Sequence, residues 1–68
     1  MKELGQQIRD LRTKRRQRMT QTELANAAGI GLSFIAKIEA GTRLPSMATL
    51  TRIAAVLGAR VQIRLVRR

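Results

Sequence analysis

Leu4, Ile8 and Leu11 recur at i, i+4 and i+7, while Gln6, Arg9, Thr13 and Arg16 fill the opposite face. That 3.6-residue period predicts an amphipathic helix over residues 3–16. It ends within Arg15-Arg16-Gln17-Arg18, where no glycine marks the stop. Thr20-Gln21-Thr22-Glu23 follows. It is a capping box: the threonine hydroxyl accepts from the backbone three residues on, and the glutamate reaches back to the threonine N–H. A second helix is predicted over 21–28, with Leu24, Ala25 and Ala28 inward and Gly29 as its left-handed stop. Gly31, a second-rank N-cap, opens a third helix over about 32–40, with Ile35 and Ile38 on one face and Gly41 at its end. Residues 42–45 form a loop. Ser46 then caps a fourth helix over about 47–57, with Leu50, Ile53, Ala54 and Leu57 inward and Gly58 closing it.

Beyond Gly58 the period changes. Val61, Ile63 and Leu65 alternate with Gln62, Arg64 and Val66, which predicts a β-strand. The chain offers no second strand, and a lone strand leaves its backbone donors and acceptors unpaired. Pairing with the same strand of a second copy across a two-fold axis resolves this, with Val61, Ile63 and Leu65 at the dimer interface. The alternative is a frayed tail. The expected organisation is a helical domain over residues 1–58 and a dimerisation strand with a basic tail over 59–68.

Composition narrows the chemistry. The chain has 68 residues, no Cys and no His, and its four acids are Glu3, Asp10, Glu23 and Glu39. Disulfides and thiolate metal sites are excluded, and the commonest general base and metal ligand are missing. An enzyme, a metal site and a cofactor are therefore not expected. The 14 Lys and Arg give a formal net charge of +10, and 11 of them are Arg, suited to bidentate phosphate and base-edge contacts. Charge alone fits DNA, RNA, an anionic membrane or an acidic protein. Phe34 is the one aromatic, which counts against RNA stacking; the short apolar runs count against a membrane. The N-terminus has no signal-peptide apolar stretch, so a cytoplasmic location is expected.

Residues 21–40 combine two short helices, a glycine turn and the packing positions Leu24, Ala25, Ile30, Ile35 and Ile38. This is a helix-turn-helix layout, whose second helix enters the DNA major groove. Thr20-Gln21-x-Glu23-Leu24-Ala25, Ala28-Gly29-Ile30, Ile35-x-x-Ile38-Glu39-x-Gly41 and Pro45-Ser46-x-x-Thr49-Leu50 together resemble the Cro/C1-type helix-turn-helix family of phage-repressor-like regulators. The resemblance covers about residues 8–57. It implies a mainly all-α, compact four-helix lambda-repressor-like domain that binds operator DNA as a dimer. The chain departs from the pattern in places. The segment between Ile8 and Met19 is about two residues longer than usual, and the glycine that commonly precedes the Met19 position is absent. Gly31 stands where Ser or Thr is usual, and Leu32 where a polar residue is more usual. The strand replaces a fifth helix, as in the subset that includes antitoxins.

The resemblance places Leu32, Ser33, Ala36 and Lys37 on the groove-facing side of the third helix, opposite Ile35 and Ile38. Lys37 can donate to guanine or to a phosphate, and Ser33 can pair with either. Leu32 and Ala36 offer apolar contact, for example to a thymine methyl. The resemblance gives Gln21 a phosphate contact and a buttress for the recognition helix. Thr42 and Arg43 complete the expected DNA contacts, Arg43 as a phosphate clamp or a solvated loop charge. Arg15, Arg16 and Arg18 are an electrostatic footprint or simply solvated. Glu39 resembles the family's acid that pairs with an Arg of the first helix, here Arg12, as a structural ion pair. Phe34 is read as packing, against the C-terminal strand or a partner subunit.

The expected function is a sequence-specific, dimeric repressor of its own operon on a palindromic double-stranded operator. Two alternatives keep the same fold: an antitoxin that also binds a toxin protein, and a restriction–modification controller protein. A protein-interaction module is the alternative from another class, and it predicts no retention of duplex DNA at physiological salt.

Overall fold

A computed structural model describes residues 2–16 and 18–67. Four helices follow in order: α1 (Lys2–Thr13), α2 (Gln21–Ala28), α3 (Leu32–Ala40) and α4 (Met47–Val56). The starts of α2 and α4 follow from side-chain caps. Thr20 and Glu23 form the capping box of α2, with Glu23 N donating to Thr20 Oγ1 at 3.0 Å and Thr20 N to Glu23 Oε1 at 2.8 Å. Ser46 Oγ accepts from Thr49 N at 3.1 Å and opens α4. Between α2 and α3 the chain reverses at Gly29, whose φ of 69° lies in the left-handed region that side chains with a Cβ rarely enter. Ile30 N then donates to Ala25 O at 2.9 Å, closing the end of α2.

The apolar stripes meet in one core of Ile8, Leu24, Ala25, Ala28, Ile35, Ile38, Ile53 and Leu57, with Leu24, Ile35, Ile38 and Ile53 fully enclosed. Each such side chain contributes roughly 1.5–3 kcal/mol relative to exposure. Helix α1 lies directly on α3. Gly5 makes this possible, because a Cβ there would collide with the carbonyl oxygens of Ile38 and Glu39.

Two expectations for the first helix are corrected. It ends at Thr13, not near residue 16. In a continued helix the Arg12 carbonyl would accept from residue 16, but Met19 N takes it at 3.1 Å, while Arg12 Nη1 donates to Met19 O at 2.9 Å. Like charges at Arg12 and Arg16, and at Lys14 and Arg18, would also oppose further turns. Leu11, expected inward, is 44% exposed, because the core closes around Ile8 and leaves the last turn beside an open groove. Helix α4 stops one residue early, at Val56, with Leu57 as its cap.

The tail forms no strand. Among the described residues there is none, and residues 59–67 carry no regular structure. A strand exists only when its backbone pairs, and the single chain supplies no second extended segment. Val61 is half-buried, whereas Ile63 and Leu65 are 66% and 97% exposed. An open apolar groove of about 820 Å³ runs between α1, α4 and the tail, lined by Leu4, Leu11, Leu44, Met47, Leu50 and Ile63 among others. No helix among the described residues is long and apolar enough to cross a membrane.

Candidate nucleic-acid interface

The core residues Ile35 and Ile38 fix which side of α3 faces out. Leu32, Ser33 and Lys37 are exposed on that outer side, and Ala36 is half-buried between them. Gly31 gives α3 no side-chain cap, so Phe34 N and Ile35 N close the first turn by donating to Gly31 O, each at 3.1 Å.

At the other end of α3 the chain folds back over the Lys37 carbonyl, which accepts from Thr42 N at 3.0 Å, Thr42 Oγ1 at 3.2 Å and Arg43 N at 3.3 Å. The Thr42 hydroxyl proton is thus used within the protein. Arg43 is held close to α3, its guanidinium carbon 5.3 Å from the centroid of the Phe34 ring.

Behind this surface lies one enclosed carboxylate. The Glu39 side chain is 0% exposed. Arg12 grips it through two bonds, Nε to Oε2 at 2.7 Å and Nη2 to Oε1 at 2.8 Å. Gln21 Nε2 donates to Oε1 at 3.1 Å, and Arg9 Nε lies at 3.5 Å. One side chain therefore ties α1 and the start of α2 to the end of α3. Burial pushes the Glu39 carboxyl up, but the hydrogen bonds from Arg12 and Gln21 and the Arg12 charge outweigh it and hold the group below its ordinary 4.5. The Arg12 guanidinium is raised in turn, chiefly by its hydrogen bond to Glu39.

Most of the other cations differ from Arg12, Arg9 and Lys14 being the exceptions. Arg15, Arg16, Arg18, Lys37, Arg43, Arg60, Arg64 and Arg67 have no carboxylate partner among the described residues. Three of the four acids are engaged elsewhere: Glu39 in the α3 network, Glu23 in its capping box, and Asp10 with Gln6 and Lys14. The unpaired cations remain for an external anion.

The sequence profile of the helix-turn-helix family matches residues 8–63. The chain belongs to the Cro/C1-type helix-turn-helix family. Members of this family are DNA-binding transcriptional regulators, and α2 and α3 are the two helices of the motif. Two relatives come from Bacillus phage phi105. The chain is 41% identical over 56 residues to the ImmF control region 10 kDa protein, an alignment covering 82% of this chain and 60% of that protein. It is 38% identical over 58 residues to the immunity repressor protein, covering 85% of this chain and 39% of that one. The chain thus spans less than two thirds of either relative. No solved structure matches it.

Of the residues expected to touch DNA, this helix-turn-helix domain groups Leu32, Ser33, Ala36 and Lys37 on α3, with Thr42 and Arg43 at its far end. Gln21 sits at the opening of α2, one amide hydrogen on Glu39. Arg12 and Glu39 stand in direct contact. Val61, Ile63 and Leu65 lie on the C-terminal tail.

Some structural residues gave little sequence signal. Arg52 of α4 donates through Nη2 to Ala28 O at 2.6 Å and Gly29 O at 3.1 Å, satisfying the end of α2. A helix ending in glycine calls for carbonyl donors, but only the packing of α4 shows which cation supplies them. Gly5 had a fainter cue, being a lone glycine inside an otherwise helical pattern. No local pattern marks the Arg9 contact to Glu39 or the approach of Arg43 to the Phe34 ring.

Proposed function

We propose that this protein is a sequence-specific repressor that binds a palindromic operator as a two-fold dimer and acts on its own operon. The observation that carries the reading is the outer face of α3, where the side chains of Leu32, Ser33 and Lys37 are exposed and Lys37 has no carboxylate partner, beside cations that also lack one among the described residues. The names of the phage relatives, an immunity repressor and a control-region protein, favour repression.

In this reading α3 enters the major groove. Lys37 donates to guanine O6 and N7, Ser33 to a base edge or phosphate, and Leu32 and Ala36 meet apolar base surface such as a thymine methyl. Gln21 spends one amide hydrogen on Glu39 and keeps the other for a phosphate. Arg43 clamps the backbone, and Thr42 supports it by holding the loop closed. Two such helices read half-sites about 34 Å apart.

The second copy is the answer to the tail. Antiparallel pairing of Val61, Ile63 and Leu65 with the same residues of a partner would satisfy the unpaired backbone and cover exposed apolar surface. Sedimentation of Ile63→Asp tests this: monomers with poor DNA affinity are expected, and a variant that still dimerises would remove the tail as the interface.

A mobility-shift titration tests the whole reading. The upstream inverted repeat should bind more tightly than random duplex, with affinity falling steeply as salt rises. Lys37→Ala should weaken operator binding by about 1–3 kcal/mol and relax one base position. Equal, weak binding to both duplexes would sink the repressor.

A further inference from the structure

We propose that Phe34 is a positioning residue: its ring holds the Arg43 guanidinium, pre-set as a backbone clamp, at the edge of the recognition helix. The inference rests on the DNA-binding reading above and adds to it a residue outside the base-facing set.

Phe34 is the one aromatic of the chain. At 100° per residue it falls on the flank of α3, between Lys37 on the outer side and Ile38 in the core. Its inner part packs on the core, leaving it only half-buried. Arg43 covers the ring, with Cζ 5.3 Å from the centroid. The backbone below is fixed as well, since Arg43 N and Thr42 N both donate to the Lys37 carbonyl. Arg43 is thus tied to α3 at its main chain and at its tip.

The chemistry of the contact explains its use. The negative face of an aromatic ring attracts the flat face of a guanidinium. All five N–H donors of that group point outward in its own plane. Contact with the ring therefore restrains the side chain without a carboxylate, unlike a salt bridge, and Arg43 has no carboxylate partner among the described residues. A phosphate arriving beside α3 meets an arginine that has already lost part of its rotamer freedom, so less is lost on binding. An apolar residue such as Leu would fill the core side of this position but offer Arg43 no face.

A double-mutant cycle on a mixed-sequence DNA duplex tests the inference, with Phe34→Leu, Arg43→Ala and the double variant. Phe34→Leu should weaken binding roughly two- to five-fold. Arg43→Ala should lower the slope of log affinity against log salt by about 1. The double variant should bind no more weakly than Arg43→Ala alone, and Phe34→Tyr should keep full affinity. Should Phe34→Leu unfold, the wild-type chain still answers by NMR: the Arg43 side-chain protons should carry an upfield ring-current shift that Phe34→Tyr preserves. Losses that multiply in the double variant, or no ring-current shift, would overturn the positioning role while leaving DNA binding intact. A wild-type chain that fails to bind duplex at all would overturn the DNA reading itself.

Discussion

The junction of α1, α2 and α3 and the C-terminal tail are opposites. At the junction a charged side chain, Glu39, is fully enclosed, and three donor side chains, Arg12, Gln21 and Arg9, converge on it. No buried side-chain nitrogen or oxygen among the described residues lacks a partner. In the tail, by contrast, apolar side chains stand in solvent, with Leu65 97% exposed, and no strand pairs with them. The first region satisfies its buried polar groups within one chain, whereas the tail leaves apolar side chains exposed. A small helical domain can fix the outer face of a helix by its own internal bonds, whereas an isolated extended segment gains structure only from a neighbour.

The largest effect should come from the junction. Glu39→Ala leaves the Arg12 side chain, itself 11% exposed, without its charge partner, and should cost about 3–5 kcal/mol in urea denaturation. A loss below about 1 kcal/mol, the value of an ordinary surface pair, would erase the contrast between the two regions. The same bonds set a pH dependence. Because the folded group lies below its ordinary 4.5, its contribution is fully present above that value and fades as pH falls through the folded one. Acid titration of stability should therefore show a loss beginning below about 4.5 that Glu39→Gln reduces.

Gly5→Ala comes next. Its methyl would meet the α3 carbonyls, and separating α1 from α3 should cost roughly 1–3 kcal/mol in the same assay. Ser46→Ala removes the N-cap of α4 and should cost about 1 kcal/mol, a local effect that leaves the Glu39 network in place. The smallest effect belongs to the tail. At concentrations low enough to keep the chain monomeric, Leu65→Ser should change stability by less than about 0.5 kcal/mol. A larger loss in that monomer would mean that the tail already packs within one chain.

Much of this was legible in advance where the signal is local. Thr20 with Glu23, Gly29 and Ser46 mark helix boundaries through bonds within a few residues, and α2 and α3 run where their patterns place them. The first helix was harder, because its end depends on Met19 returning to the Arg12 carbonyl, a contact across seven residues. Periodicity also assigned Leu11 inward, since a stripe reports which residues share a face but not how far along the helix the neighbours reach. For the site, the outer face of α3 was readable from the inward isoleucines. The Gln21 bond to Glu39 and the Phe34 ring beneath Arg43 join residues through folding alone.

The sequence by itself determined the presence of four helices, the caps of α2 and α3 and the start of α4, the helix-turn-helix spacing and an excess of cations, because each follows from near-neighbour chemistry or from counting. Tertiary structure decided which cations are used inside and which remain available. Arg12 is locked onto Glu39 and Arg52 caps α2, while Lys37 and Arg43 are left facing outward without a carboxylate. The reason is physical: an arginine's role is set by the acceptors that packing brings within about 3 Å of it, and these come from distant parts of the chain.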